Sequence, residues 1–404
     1  MAYFQSKRRV LGLLGPAFVA AIAYVDPGNF AANFSAGAEY GYTLLWVLVF
    51  ANIMASLVQY LSAKVGLVTG MSLPEVIAKK LGRKSRIGYW FQAELVAIST
   101  DLAEVIGGAI ALNILFGIPL LPGAIITGIV SLLILLIYSR RGQKIFERVV
   151  VGMLIIIPVG FIAGLFMQPP EVSAMANGLI PRLQNTDMLL LAVAMLGATV
   201  MPHVVYLHSA LSRDRHGKKA AGELKQLLFA TWIDVGLSMI VAGGINIAML
   251  LLAASALRGL PGTDTLQGIF VNLTNELSPA VGILFGVGLL VSGFASTAVG
   301  AHAGAIIMEG MLKRRVSLVV RRVVTIIPAI IIVGFGIDPT QALIVSQVIL
   351  SFGIPFALLP LLLVTASKKI MGDHKNSIVI TSLLGAIVAV IVVLNAALIV
   401  LTIK

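Results

Sequence analysis

The chain contains no cysteine, so it can form neither a disulfide framework nor a thiolate metal site, and it gives no redox clue to its compartment. Charge is scarce as well: 11% of residues are Asp, Glu, Lys or Arg, where a soluble globular domain carries roughly 25%. There is no H-E-x-x-H pair, no low-complexity stretch and no long linker. These absences leave no room for a soluble catalytic domain and argue against a metal-dependent intramembrane hydrolase, which needs a general base and His-rich ligation. What fills the 404 residues is apolar, with 59% hydrophobic side chains and a mean hydropathy of +1.02. The chain therefore reads as an all-α polytopic membrane protein. Its net charge of +12 does not mark a nucleic-acid partner, because the basic residues are dispersed between apolar runs and are not clustered with aromatics.

A membrane span needs about 20 mostly apolar residues. Scanning for such runs gives eleven expected transmembrane helices, at 10–35, 42–66, 88–114, 120–138, 148–167, 187–211, 226–254, 279–308, 322–337, 339–364 and 378–402. The N-terminal stretch has a basic start and an apolar run without a small-residue cleavage site, and reads as an uncleaved first helix. With the N-terminus on the cytoplasmic side, 26 of the 29 basic residues fall in inside segments, leaving only Arg182, Arg258 and Lys404 outside. The positive-inside rule thus predicts a multi-pass protein of the plasma membrane, N-terminus cytoplasmic and C-terminus extracytoplasmic.

Two spans carry residues that a lipid-embedded helix should avoid. The first contains "AIAYVDPGNFAANF" at 21–34, and the sixth contains "AMLGATVMPHVVYLHSA" at 194–210. Proline removes a backbone donor and clashes with the preceding turn, while Gly28 adds permissive dihedrals. A lone proline in a span is ordinarily a kink. Two breaks five spans apart, one beside an Asp, instead match transporters built from inverted repeats, whose discontinuous helices form the substrate site. The chain then divides into a five-helix repeat at 1–167, an inverted five-helix repeat at 187–364, and an additional helix at 378–402, all within one transmembrane domain spanning 1–404. No sequence similarity between the two blocks is visible.

The broken segments offer a small mixed donor set. Asp26 is the one acid of the first span, and an intramembrane carboxylate marks a functional site by default. Asn29 adds an amide oxygen, Met201 a thioether, and the breaks free backbone carbonyls such as those of Ala23 and Ala198. This set suits a divalent cation. The sulfur discriminates, since calcium and magnesium prefer hard oxygen ligands and transition ions tolerate softer ones.

Together, "DPGN" (Asp26 to Asn29) and "MPH" (Met201 to His203) resemble the Nramp family of proton-coupled divalent metal transporters, in its bacterial manganese-transport branch. The segments "GYTLLWVLVFANIMASLVQYLSAKVGLVTG" and "QALIVSQVILSFGIPFALLPL" are similar to family segments too, so the resemblance covers the whole chain. It implies the fold of the bacterial leucine and sodium symporter (LeuT), a 5+5 inverted repeat with broken helices 1 and 6. It further implies Asp26, Asn29 and Met201 as side-chain metal ligands, with the Ala23 and Ala198 carbonyls joining in one or other conformational state. Gln347 in span 10 is similar to a polar residue that approaches the metal in some states. The retained Met201 speaks against the magnesium-transporting relatives.

Span 3 carries Glu94, Asp101 and Glu104, spaced seven and three apart and hence on one stripe of a helix. Arg321 and Arg322 open span 9 and could neutralise part of that stripe. The resemblance matches Asp101, Glu104 and Arg322 to a polar route by which protons leave the metal region, with Asp26 as first acceptor and His203 near it. The alternative for the stripe is a structural salt-bridge network, and for His203 a satisfied core histidine. His208 lies about 140° round the helix from His203 and need not share its role. Asp234 and His302 are intramembrane and polar but unplaced, and Asn246 and Gln59 are candidate gate or hydrogen-bonding residues.

The sequence thus predicts a transporter and not an enzyme: a secondary active importer of Mn2+, with Fe2+, Cd2+ and Co2+ accepted, driven by protons through alternating access. Its expected partners are the metal substrate, protons and the lipid bilayer, with no cofactor, no nucleic acid and no obligatory protein partner. A cation channel would need a ring of acidic or carbonyl groups along an open pore. A same-fold symporter for an amino acid would meet repulsion between Asp26 and the substrate carboxylate.

Overall fold

The computed structural model describes residues 15–141, 143–217, 221–314 and 317–403. The start of the first expected span, with Lys7, Arg8 and Arg9, lies outside the described residues, as do Lys218, Lys219, Arg315 and Lys404. Among the described residues there are helices and no strand.

The first apolar run forms two helices, α1 (Pro16–Ala23) and α2 (Pro27–Tyr40), separated by Tyr24, Val25 and Asp26. Next come α3 (Leu45–Thr69), a short α4 (Leu73–Lys80), and the long α5 (Arg83–Phe116). Then follow α6 (Leu120–Arg141), α7 (Gln143–Ile156) and α8 (Pro158–Met167), and a short α9 (Val172–Gly178). The sixth run is again two helices, α10 (Thr186–Thr199) and α11 (Pro202–His216). The remainder is α12 (Ala221–Ala256), α13 (Leu266–Glu276), α14 (Pro279–Leu312), α15 (Leu318–Gly334), α16 (Pro339–Ala366), α17 (Lys368–Met371) and α18 (Ile378–Ile403).

Eight stretches among the described residues are long and apolar enough to cross a bilayer: α3, α5, α7 with α8, α10 with α11, α12, α14, α16 and α18. The other three expected spans coincide with α1 plus α2, with α6 and with α15. Four loops between the expected spans hold the short helices α4, α9, α13 and α17. Their starts are legible after the fact, for Ser72 and Glu75 form a capping box at α4 and Thr265 caps α13 by accepting from the Gly268 N–H.

A third interruption, at Pro158, is of a different kind from the two expected breaks. Ile157 before it keeps helical angles (φ −56, ψ −48), so α7 runs into α8 as a kink. Asp26 before Pro27 is extended (φ −80, ψ 170), and Met201 before Pro202 also leaves the helical region (φ −44, ψ 115). Among the described residues, those are the two points within the expected spans at which the helix stops and starts again.

The broken pairs sit at the centre of the bundle. The most apolar window of α10 with α11 is 94% buried, against 28% for α18, which places the second break in the core and α18 at the periphery. In α2, Phe30 and Phe34 lock against Phe161 of α8 and Phe285 of α14, with ring centroids 5.1 to 5.9 Å apart in edge-on and tilted contacts. Such pairs add about 0.5–1.5 kcal/mol each beyond burial. They hold α2 on one side of its break, while α16 packs along α10, α5 and α2.

Candidate functional site

At the first break, "DPGN" works as a helix start set in the core. The Asp26 carboxylate accepts from the Asn29 N–H at 2.8 Å, and Pro27 occupies the first helical position, where its missing N–H costs nothing. The two residues ahead are tied down from other helices. The Tyr24 carbonyl accepts from Asn246 Nδ2 at 2.7 Å, and the Val25 carbonyl from the Ser292 hydroxyl. Asn246 also accepts from Asn33 Nδ2 at 2.9 Å, so one α12 residue grips the first span before and after its break.

Each proline orphans one carbonyl. The i−4 partner of Pro27 is Ala23 and that of Pro202 is Ala198, and a proline has no N–H to give. Ala23 and Ala198 are buried, at 1% and 0% exposure. These are the two carbonyls picked out from the sequence, and the helical register explains why it is these two.

Span 10 brings the breaks together. Gln347 Nε2 of α16 donates to Asp26 Oδ2 at 3.4 Å. A Cβ on Gly28 would lie 1.8 Å from that same nitrogen, and one on Gly197 would lie 1.9 Å from the Gln347 backbone oxygen. Only the absence of side chains at both glycines admits Gln347 between the half-helices. Around it, both polar side-chain atoms of Asn29 and the Gln347 Oε1 are buried without a hydrogen-bond partner. Met201, next to the second break, is fully buried. Buried amides are ordinarily satisfied, so these orphaned atoms mark a place where a ligand or water supplies the missing contact. Among the described residues no cluster of three or more His, Asp or Glu is placed to hold a metal ion.

A second group of charges lies on α5. Asp101 pairs with Arg322 at 3.0 Å, and Glu94 accepts from Arg321 Nη2 at 2.7 Å. Both arginines have a further polar partner: Arg321 Nη1 donates to the Ala301 carbonyl at 3.2 Å, and Arg322 Nε to the Ser131 hydroxyl at 2.9 Å. The neutralisation expected of Arg321 and Arg322 is thus realised pair by pair. Room for the group comes from α14. A Cβ on Gly300 would sit 3.0 Å from a Glu104 carboxylate oxygen, and one on Gly304 only 1.8 Å from the Arg321 guanidinium. His203 Nδ1 lies 3.2 Å from the Thr100 hydroxyl, which links the start of α11 to the residue beside Asp101.

The polar residues left unplaced by the sequence separate into distinct roles. His208 Nδ1 meets Gln59 Oε1 at 2.8 Å, and Gln59 in turn donates to the Tyr24 hydroxyl. His208 therefore serves a different network from His203. Asp234 accepts from the Gly15 and Ala17 N–H groups, both at 3.0 Å, and so caps α1 from another helix. His302 is buried on α14, one residue past the carbonyl that holds Arg321. Tyr24, Asn33, Thr100, Ser131 and Ser292 were missed from the sequence, where buried hydroxyls and amides inside apolar runs carry no distinguishing signal.

Two mid-helix breaks facing one another through a third helix, inside a bundle of apolar spans, define a membrane transporter of the broken-helix, LeuT-like class. The chain belongs to the Nramp family: the family profile described as Natural resistance-associated macrophage protein-like matches residues 17–401. It is 56% identical over 393 residues to a protein of Mycobacterium tuberculosis (strain H37Rv) named Divalent metal cation transporter MntH, covering 97% of this chain and 92% of the relative. Among solved structures it is similar to the Eremococcus coleocola manganese transporter, with a TM-score of 0.87 and 30% identity over 96% of this chain and 86% of that one. The fold alone is shared with Mhp1, a nucleobase-cation-symport-1 family transporter, at a TM-score of 0.61 and 15% identity, covering 91% of this chain and 81% of that one.

Proposed function

We propose that the protein imports divalent transition-metal ions, Mn2+ foremost with Fe2+, Cd2+ and Co2+ accepted, by proton-coupled alternating access. The observation that carries this reading is the company Asp26 keeps: one buried carboxylate, the orphaned amide of Asn29, the orphaned Oε1 of Gln347 and two carbonyls stripped of their helical donors. A site with a single full charge and several neutral oxygens attracts a dication without caging it. Met201 adds the sulfur that favours transition ions over Ca2+ and Mg2+. The names carried by the M. tuberculosis and E. coleocola relatives support the same substrate class.

Asp26, Asn29, Met201 and Gln347 are the proposed side-chain ligands, joined by the Ala23 and Ala198 carbonyls. Protons leave by Asp26 and His203 toward the Asp101–Arg322 pair, Glu104 and the Glu94–Arg321 pair. A carboxylate beside a cation site changes its proton affinity as the cation arrives and departs, which is what couples the two ions. Residues 1–167 and 187–364 act as the inverted repeats, with 378–402 as an accessory helix, in a plasma membrane whose cytoplasmic face carries the N-terminus.

The test is Mn2+ uptake into proteoliposomes under an inward proton gradient. Uptake should accelerate with the gradient and vanish in Asp26→Ala. Gradient-dependent uptake that survives Asp26→Ala removes the reading.

A further inference from the structure

The exposed outer side of the bundle carries a groove whose apolar walls the transport reading does not use, although its floor is an ion pair of the proposed proton route. It lies between α5, α14 and α15, has a volume of about 360 Å3, and is walled by Phe91, Leu95, Ile98 and Val324, with Trp90 beside them. Phe91, Leu95 and Val324 are exposed, at 58%, 47% and 54%. Its floor holds the Glu94–Arg321 ion pair, whose side chains are only 12% and 4% exposed. A charged pair at the base of an apolar slot invites a cover that is itself apolar along its length.

The same helix face continues past the groove into positive charge. Lys84, Ile87, Phe91, Leu95 and Ile98 follow one another at spacings of three and four, and therefore share a stripe of α5. Lys84 is exposed at the head of that stripe, next to exposed Arg83. Lys313 and Arg314, also exposed, follow the C-terminal end of α14 and line no part of this groove. No acid occurs between residues 76 and 93 to offset the α5 charges. The arrangement along α5 is a basic collar at the helix start, then Trp90, then an apolar slot.

We infer that this groove is a binding site for an anionic phospholipid, with the phosphate headgroup on the α5 collar of Arg83 and Lys84 and an acyl chain along Phe91, Leu95 and Val324. Basic residues at the membrane surface attract anionic headgroups, and the slot alone would accept any acyl chain, so the collar is what selects. The chain of such a lipid lies over the Glu94–Arg321 pair and keeps water from its outer side. The inference rests on the membrane fold and not on the identity of the transported ion.

The full-length protein, purified and held in nanodiscs of phosphatidylcholine mixed with phosphatidylglycerol, tests this by mass spectrometry of the lipid retained after exchange into detergent. The wild type should retain phosphatidylglycerol over phosphatidylcholine. Lys84→Glu should cut that preference about fivefold or more, the equivalent of at least one surface charge. Leu95→Trp, which fills an exposed wall position, should lower retention of both lipids. Each variant is first checked for a wild-type thermal unfolding profile, with Leu95→Phe as a milder substitute. Equal retention of the two lipids by the wild type overturns the site, as does a phosphatidylglycerol preference that survives Lys84→Glu. A dimer in native mass spectrometry that Leu95→Trp dissociates overturns it too, since a second copy would then cover the groove. None of these readouts depends on metal uptake, so failure here and failure of the transport reading are separately visible.

Discussion

Gln347 and Asp26 stand 321 positions apart in the chain, yet the amide of one donates to the carboxylate of the other across 3.4 Å at the centre of the bundle. The contact exists because Gly28 presents no Cβ to the approaching side chain. It ties span 10 to the first break, so movement of either segment is felt at the carboxylate.

Gly28→Ala should push the Gln347 amide off Asp26, since the new methyl would occupy its place. Overpacking of this kind costs about 1–3 kcal/mol. We expect a lowered unfolding temperature and slower Mn2+ uptake. Adding Gln347→Ala should restore the unfolding temperature without restoring uptake. A double variant no more stable than Gly28→Ala alone would show that the clash lies elsewhere.

Met201→Ala should leave Mn2+ uptake largely intact while admitting Ca2+, because the thioether contributes discrimination more than charge. Competition of Mn2+ uptake by Ca2+, Mg2+ and Cd2+ measures this. Exclusion of Ca2+ equal to that of the wild type would remove sulfur from the account.

The α5 charges can be assigned by separating stability from coupling. Removing Arg322 strands a buried Asp101, and breaking a buried pair costs about 3–5 kcal/mol, so Arg322→Ala should unfold at clearly lower temperature. Asp101→Asn keeps the shape and removes the titrating group. It leaves the buried Arg322 charge without its partner and so also lowers the unfolding temperature; if the pair belongs to the proton route, it changes in addition the pH dependence of Mn2+ uptake by the protein that remains folded. An unaltered pH profile would leave the pair a purely structural bridge.

Asp234 holds the start of α1 through the Gly15 and Ala17 N–H groups. Losing such a cap typically costs about 1 kcal/mol, enough to raise the population of a released α1 by about fivefold. Because the chain has no cysteine, a single Ala20→Cys reporter can be labelled without background. Asp234→Ala should speed its labelling by a thiol reagent, since Ala20 is buried against the bundle. Identical rates in the two backgrounds would show that Asp234 does not restrain the half-helix.

Much of this was legible from residue order alone. Apolar runs locate the helices, and the breaks follow from Asp-Pro and Met-Pro inside such runs, because a proline cannot donate the bond that would carry the helix through. The same local rule also has limits. Asp338-Pro339 opens α16 with the same cap, the Asp accepting from Gln341 N–H at 2.8 Å, but Asp338 is exposed where Asp26 is fully buried. Pro158 also lies in an apolar run, yet it only kinks its helix.

The sequence by itself determined which residues could not be ordinary: a lone acid and two prolines within hydrocarbon-length runs, and three acids on one stripe of α5. Local chemistry and helical period are enough for that. Tertiary structure alone decided partnership, namely that Asp26 meets Gln347, that Arg322 takes Asp101 and Arg321 takes Glu94, and that His203 and His208 part company. Those pairings depend on where glycines let helices and side chains approach. That is a property of two surfaces in contact, which neither strand of sequence records separately.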